Sequence, residues 1–325
     1  MKLQEVPVQL RKLEPEMEKL NQQLSALADG ENGFLSELLK YTFVGSGKRV
    51  RPCLVHLSAM LGKPNLEEVR RVALAVELIH IATLIHDDVI DRAVLRRARQ
   101  SIAAKFGDEN AVLLGDYVYV RAFQELAKIG RADVVEIFAD TTAIMCQGEI
   151  RQVQNRFQFE LPEKDYFSFI EKKTASLFEA SCKAGAMLGH GAPEIVEAVG
   201  RFGLHLGIAF QITDDLLDFM GQENETGKTL RTDLVHGKMT LPLIHLREGQ
   251  TSASERERLI SMLKSPDGQA NQLIQWMDDS GSMAYAQKTV RDHINSGLQQ
   301  LAHLPDTAGR ESLFAIAQAL VERNT

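Results

Sequence analysis

Helical periodicity runs through this chain with few interruptions, and it limits the possible folds more than any other feature. Nine prolines are spread over 325 residues. The stretches Leu66 to Asp91, Ala132 to Phe157, Asp165 to Leu188 and Pro193 to Met220 each repeat apolar residues at three- and four-residue spacing. Strand-like alternation between turn pairs is not evident. The expectation is an all-α bundle whose helices are long enough to cross a whole domain. The breaks are short, as at Gly45-Ser-Gly47, Gly62-Lys-Pro64 and Ser265-Pro-Asp-Gly268, and no Pro/Gly/Ser-rich linker separates them. One domain spanning 1–325 is therefore expected.

Composition narrows the function. The net charge of -7 argues against a general affinity for nucleic acid or an anionic membrane. Cys53, Cys146 and Cys182 lack metal-ligand spacing and each lies in a largely apolar stretch, so buried, reduced thiols in a cytoplasmic protein are expected. No run of about 18 uninterrupted apolar residues stands out, and the first 20 residues lack the apolar stretch of a secretory signal. No stable membrane anchor is expected.

Two acidic clusters stand out, LIHDDVID and QITDDLLD, each closing a long apolar helix. On a helix Asp87 and Asp91 are four apart, Asp88 and Asp91 three apart, and Asp214, Asp215 and Asp218 repeat the pattern. Like charges so spaced cost an isolated helix roughly 0.2–0.5 kcal/mol per pair, and a bound cation commonly offsets such a cost. Hard oxygen ligands without paired cysteines point to Mg²⁺ or a similar ion held together with substrate phosphates. A single DDxxD is as readily a solvated acidic helix end; two copies, each closing an apolar run, favour metal. A di-iron bundle needs two Glu-x-x-His pairs, and only Glu77-Leu-Ile-His80 fits, Asp233-Leu-Val-His236 having the wrong acid.

Basic groups accompany the acids. Gly45 to Pro52 reads GSGKRVRP and places Lys48, Arg49 and Arg51 after a glycine turn, without the spacing of a P-loop. Arg96 and Arg97 add planar forks suited to phosphate oxygens, and Lys173, Lys228 and Lys238 follow. His80 lies seven residues before Asp87, on the same helical face. A solvated basic surface is the plain alternative; the pairing of acidic and basic sets in one chain argues for diphosphate chemistry.

The segments GKRVRP, LIHDDVIDRAVLRR, KFGDENAVLLGDY, the pair Lys173-Thr174, QITDDLLDF and GKMTLP occur in the order and spacing of the trans-isoprenyl diphosphate (polyprenyl) synthases, and from about residue 30 onward the chain resembles that family. The resemblance implies the isoprenoid synthase fold, with helices around a central cavity, and a homodimer. It implies a prenyltransferase that joins isopentenyl diphosphate to an allylic diphosphate and releases pyrophosphate. By motif position, Asp87, Asp88, Asp91, Asp214, Asp215 and Asp218 are the catalytic aspartates, with Asp87, Asp91 and Asp214 on Mg²⁺, three ions per active site. Lys48, Arg51, His80 and Arg97 match the isopentenyl diphosphate site. Arg96, Lys173, Thr174, Gln211, Lys228 and Lys238 match positions that contact the allylic diphosphate. The chain departs from the common pattern at Ala98, Arg92 and Arg231, none of them a matched metal ligand.

The growing product should run back along the helix that carries Asp87, past Thr83, Ile79 and Val76, with Ala82 beside Thr83. Farnesyl-making relatives carry a bulky aromatic at the position matching Ala82 or Thr83, and both residues are small here. Phe138 stands 14 residues before Gln152, roughly 21 Å along a helix, where it would form a deeper floor. A C30–C40 product is expected. A shorter product, a class I terpene cyclase and a noncatalytic apolar-ligand binder are the alternatives; a cyclase would replace the second Asp-Asp-x-x-Asp, and a binder would erode both motifs.

Overall fold

The computed structural model describes residues 12–43, 47, 49–96, 99–220, 232–250, 252–266 and 268–321. Lys48, Arg97, Ala98, Lys228 and Arg231 lie outside the described residues. The order is α1 (Glu14–Asp29), α2 (Gly33–Phe43), α3 (Val50–Ala59), α4 (Leu66–Ile90), a hairpin of β1 (Leu95–Arg96) and β2 (Arg99–Gln100), α5 (Ile102–Phe106), α6 (Asp108–Ala127), α7 (Ala132–Gln154), α8 (Glu163–Ile170), a π-helical turn (Glu171–Ala175), α9 (Ser176–Leu188), α10 (Pro193–Met220), α11 (Thr232–Val235), α12 (Leu241–Gly249), α13 (Ala253–Lys264), α14 (Ala270–Asp279), α15 (Ser282–Leu301) and α16 (Ala308–Val321). The hairpin pairs Leu95 with Gln100 and Arg96 with Arg99, antiparallel. Strands this short present no period to read.

The four long helices lie where the periodicity puts them, with three local differences. Helix α4 starts on a true cap, the Asn65 side chain accepting the Glu67 N–H at 3.1 Å, with Glu67 and Glu68 against the positive end of the dipole. It stops at Ile90, so Asp91 is its C-terminal cap. Helix α7 stops at Gln154, and Phe157 turns into the left-handed region at φ 61°. The stretch expected as one helix from Asp165 begins at Glu163 and is interrupted by the π turn, which carries Lys173 and Thr174.

Helix α9 explains how the core is divided. Its residues Leu177, Ala180, Ala184 and Leu188 pack into a cluster built around α4, together with Ile79, Ala82 and Phe138. Phe178, Cys182 and Ala186 pack into a second cluster, built around α10 and the helices that follow it. Each set repeats at three- and four-residue spacing, as two faces of one helix must. A helix apolar all round belongs in an interior. Helix α10, roughly 42 Å long, is long and apolar enough by composition to cross a membrane. Its Val199, Phe202, Leu206, Ile212, Leu216 and Phe219 are instead buried against the neighbouring helices. Of the cysteines expected to be buried, Cys182 is buried and Cys53 half-buried, but Cys146 is exposed, on the outer face of α7.

Candidate active site

The first acidic motif closes α4. The Asp91 N–H donates to the Asp87 carbonyl at 2.8 Å, so the last turn stays helical to its cap. The last turn of α4 has no basic residue of its own. Carbonyl dipoles and three carboxylates thus gather at one helix end, and the balancing cations arrive from other elements. The Arg96 Nε on the hairpin donates to Asp88 Oδ1 at 2.6 Å. The Lys173 Nζ lies 3.6 Å from Asp87 Oδ2 and also pairs with Glu149. Asp91 is bound on both oxygens: Arg156 Nη2 donates to Oδ1, and Lys238 Nζ donates to Oδ2 at 2.9 Å. Burial raises the Asp88 carboxyl to about 6 against the pull of Arg96. Burial also acts upward on Asp91, but Lys238, Lys173 and Arg156 outweigh it and hold that carboxyl below its ordinary value.

The second motif closes α10, and its middle aspartate is held by neutral donors. Asp215 is buried; it accepts the Tyr166 hydroxyl at 2.7 Å and the Gln211 amide at 2.8 Å. Gln211 in turn accepts the Thr174 hydroxyl at 2.7 Å. Burial pushes Asp215 up to about 8, with Asp233 adding to the rise. Asp218 accepts the Asp233 N–H at 3.1 Å. Asp214 is half-buried, and its charge, with that of Glu77, opposes the effect of burial on Arg51, which lowers that guanidinium to about 10.

Two bridges join the motifs. One runs from Asp91 through Lys238 to Asp233, 3.5 Å from Lys238 Nζ, and on to Asp218. The other runs from Asp87 through Lys173 and its neighbour Thr174 to Gln211 and Asp215. Between them lies a cavity of about 80 Å³ lined by Gln152, Asn155, Tyr166, Lys173, Thr174, Gln211, Asp215, Asp233 and Lys238, with Leu161, Phe169, Ile170 and Met239 as apolar wall. The π turn delivers Lys173 and Thr174 together to the second of these bridges, and such turns recur at functional sites. It passes so close to α7 that a Cβ on Gly148 would lie 2.7 Å from the Lys173 nitrogen.

The remaining expected residues surround this centre. Arg51 lays its guanidinium over the Phe178 ring, 4.5 Å from the centroid. His80 is half-buried on α4, and its carbonyl accepts the Thr83 hydroxyl at 2.7 Å. Val76, Ile79, Ala82 and Phe138 are fully buried in one cluster, and Thr83 is half-buried. The structure also brings in Glu149, Arg156, Tyr166 and Asp233, which the sequence reading did not select. Glu149 and Gln152 are three apart on α7, so a carboxylate and an amide on one face were the available signal. Asp233 entered that reading only as a failed half of a di-iron motif.

A divalent ion fits this donor set by chemistry. Asp87, Asp91 and Asp214 offer hard carboxylate oxygens, and the cations now gathered around the first motif show how much positive charge it takes. Among the described residues no group of three or more His, Cys, Asp or Glu side chains is gathered at metal-binding distance.

Comparison with known proteins agrees with this geometry. The family model for polyprenyl synthetase matches residues 32–279. Heptaprenyl diphosphate synthase component 2 of Geobacillus stearothermophilus is 38% identical over 268 residues, 78% of this chain and 83% of that protein. Octaprenyl diphosphate synthase of Haemophilus influenzae is 34% identical over 96% of this chain and 95% of its own. A crystal structure of polyprenyl synthase from Caulobacter crescentus CB15, complexed with calcium and isoprenyl diphosphate, superposes with a TM-score of 0.90 at 30% identity, covering 98% of this chain and 97% of that one.

Proposed function

Because the chain belongs to the polyprenyl synthetase family and is thus a chain-elongating prenyltransferase, we propose that it extends an allylic diphosphate with isopentenyl diphosphate to an all-trans C30–C40 diphosphate, releasing pyrophosphate. The observation that carries the site assignment is the pair of bridges joining the two aspartate motifs across one cavity. Asp87, Asp91 and Asp214 would hold Mg²⁺, three ions per site. When bound, those ions neutralise charge on the departing pyrophosphate. Lys173 and Lys238 stand beside Asp87 and Asp91, placed to grip the same diphosphate. Asp215, Gln211 and Thr174 fix the opposite wall through neutral hydrogen bonds. Arg51, His80, Lys48 and Arg97 receive the second diphosphate. The apolar wall of Leu161, Phe169, Ile170 and Met239 excludes water from the allylic cation. The double bond of isopentenyl diphosphate then attacks it, with much of the rate coming from positioning; the proton lost afterwards passes to the released pyrophosphate.

Small Ala82 beside Thr83, with Phe138 deep in the same buried cluster, supports a long product. The relatives named for heptaprenyl and octaprenyl products point the same way. Incubating the purified chain with Mg²⁺, isopentenyl diphosphate and a short allylic primer, then separating dephosphorylated products by chromatography, should give C30–C40 alcohols. A sole C15 product refutes the length; absence of Mg²⁺-dependent pyrophosphate release refutes the reaction.

We also propose a homodimer through α6 and α7. Leu113 and Val120, seven apart on α6, are 66% and 56% exposed, and Ile150 on α7 is 59% exposed. Such apolar side chains gain most by meeting their own copies. Light scattering on the purified protein should return twice the chain mass of 36.2 kDa. One domain and a cytoplasmic location complete the proposal.

A further inference from the structure

Arg156 has no place in the resemblance or in the reaction as described, yet its guanidinium is drawn into the first motif. Nη2 donates to Asp91 Oδ1 and Nη1 to the Ile90 carbonyl at 3.3 Å, so one side chain caps both the charge and the dipole at the end of α4. Its Nε is buried without a hydrogen-bond partner. A buried donor left unmet is costly, and here it marks a side chain committed to Asp91 at the expense of its own satisfaction.

The backbone enforces this position. Phe157, the next residue, has φ 61°, a conformation unfavourable for a bulky side chain. It is held there by its N–H, which donates to the Gly237 carbonyl at 2.8 Å. Gly237 is itself at φ 65°, and a Cβ on it would lie 2.3 Å from the Phe157 ring. The segment carrying Arg156 is thereby bolted to the segment carrying Lys238. The two cations close on opposite oxygens of one carboxylate.

A divalent ion that ligates Asp91 therefore meets a carboxylate whose two oxygens are each already paired with a cation. Lys238 already has Asp233 as an alternative partner at 3.5 Å, whereas Arg156 pairs with Asp91. We infer that Arg156 is a positioning residue that competes with the divalent cation for Asp91, holding the carboxylate in place until metal and diphosphate arrive together. This rests on Asp91 being a metal ligand, as proposed above.

Mn²⁺ titrated into the full chain without substrate, with free Mn²⁺ read by its paramagnetic resonance signal, tests the inference. Asp91→Asn should weaken binding relative to the natural chain. Arg156→Gln should tighten it by up to about fivefold, the scale of one lost ion pair, and enlarge the rise in Tm that Mn²⁺ produces. Arg156→Lys, which keeps the charge but loses the fork, should fall between. A residue with a merely structural role would weaken binding on removal. If Asp91→Asn weakens Mn²⁺ binding but Arg156→Gln does not tighten it, the competition is refuted and the metal site stands. If Asp91→Asn has no effect, or the natural chain binds no Mn²⁺, both fail. Should Arg156→Gln not fold, Arg156→Lys decides: tighter binding than in the natural chain supports the competition, and equal or weaker binding refutes it.

Discussion

The two Asp-Asp-x-x-Asp motifs share a sequence pattern and differ in how the fold treats their charge. The first is surrounded by cations: Arg96 on Asp88, Lys173 by Asp87, Arg156 and Lys238 on Asp91. The second is held at Asp215 by a phenol and an amide, which stabilise a carboxyl without neutralising it. Burial acts upward on both carboxyls: at Asp91 the cations outweigh it and hold the group below its ordinary range, while at Asp215 the two hydrogen bonds do not, and with Asp233 adding to the rise that carboxyl reaches about 8. In both, the middle aspartate is buried and turned to a protein partner. A repeated motif thus divides into partly exposed residues fit for metal, Asp87, Asp91 and Asp214, and buried residues tied to neighbouring elements, Asp88 and Asp215.

The sharpest way to break this division is to neutralise partly exposed and buried aspartates in turn. Asp87→Asn and Asp214→Asn should each lower kcat/KM roughly 10²–10³-fold and raise the Mg²⁺ concentration giving half-maximal rate. Asp215→Asn should lower kcat by less and leave the Mg²⁺ requirement nearly unmoved; equal shifts in all three would erase the distinction. Next in size, Lys173→Gln removes the cation joining Asp87, Glu149 and the π turn. It should cost roughly 10²-fold in turnover with isopentenyl diphosphate affinity retained, read from steady-state kinetics. Tyr166→Phe deletes one neutral donor to Asp215 and should cost roughly tenfold in kcat, with product length unchanged by chromatography.

Ala82→Tyr tests the buried helix face upstream of the first motif and leaves both motifs intact. A phenol in that fully buried position should shorten the product while pyrophosphate release continues; an unchanged product distribution removes this face from the tunnel wall. The smallest effect on turnover belongs to His56, whose charged neighbours are Glu16 and Lys19 on α1 and Arg70 on α4. Burial lowers its imidazole to about 4 against the pull of Glu16. A folded-state value below the unfolded 6.5 means stability is full above that pH and declines as pH falls toward 4. His56→Gln should make that decline shallower by up to about 1.4 kcal/mol per pH unit, measured by urea unfolding at pH 4.5 and 7.5, with kcat at pH 7.5 unchanged.

The bundle was legible because its helices are long and their periodicity is carried by many residues at once, α4 and α10 above all. The motifs were legible because the spacing of Asp87 with Asp91, and of Asp214 with Asp218, lies within single turns. What sequence could not supply is whatever arrives from another element. Arg156, Tyr166 and Asp233 follow no local pattern, and only the packing of α7, α8 and α11 against the helix ends brings them to the aspartates. The π turn at Lys173 and the left-handed Phe157 escaped for a different reason: both are single-turn departures demanded by close approach, to Gly148 and Gly237, and no periodicity encodes them.

Everything turns on whether the two motifs serve one diphosphate. Crystals grown with Mn²⁺ and an unreactive allylic thiodiphosphate, with the ions located by anomalous scattering, answer this directly. The account predicts ions on Asp87 and Asp91 and a further ion on Asp214, all sharing oxygens of a single diphosphate. Ions confined to one motif, with the diphosphate touching no atom ligated by the other, would contradict it.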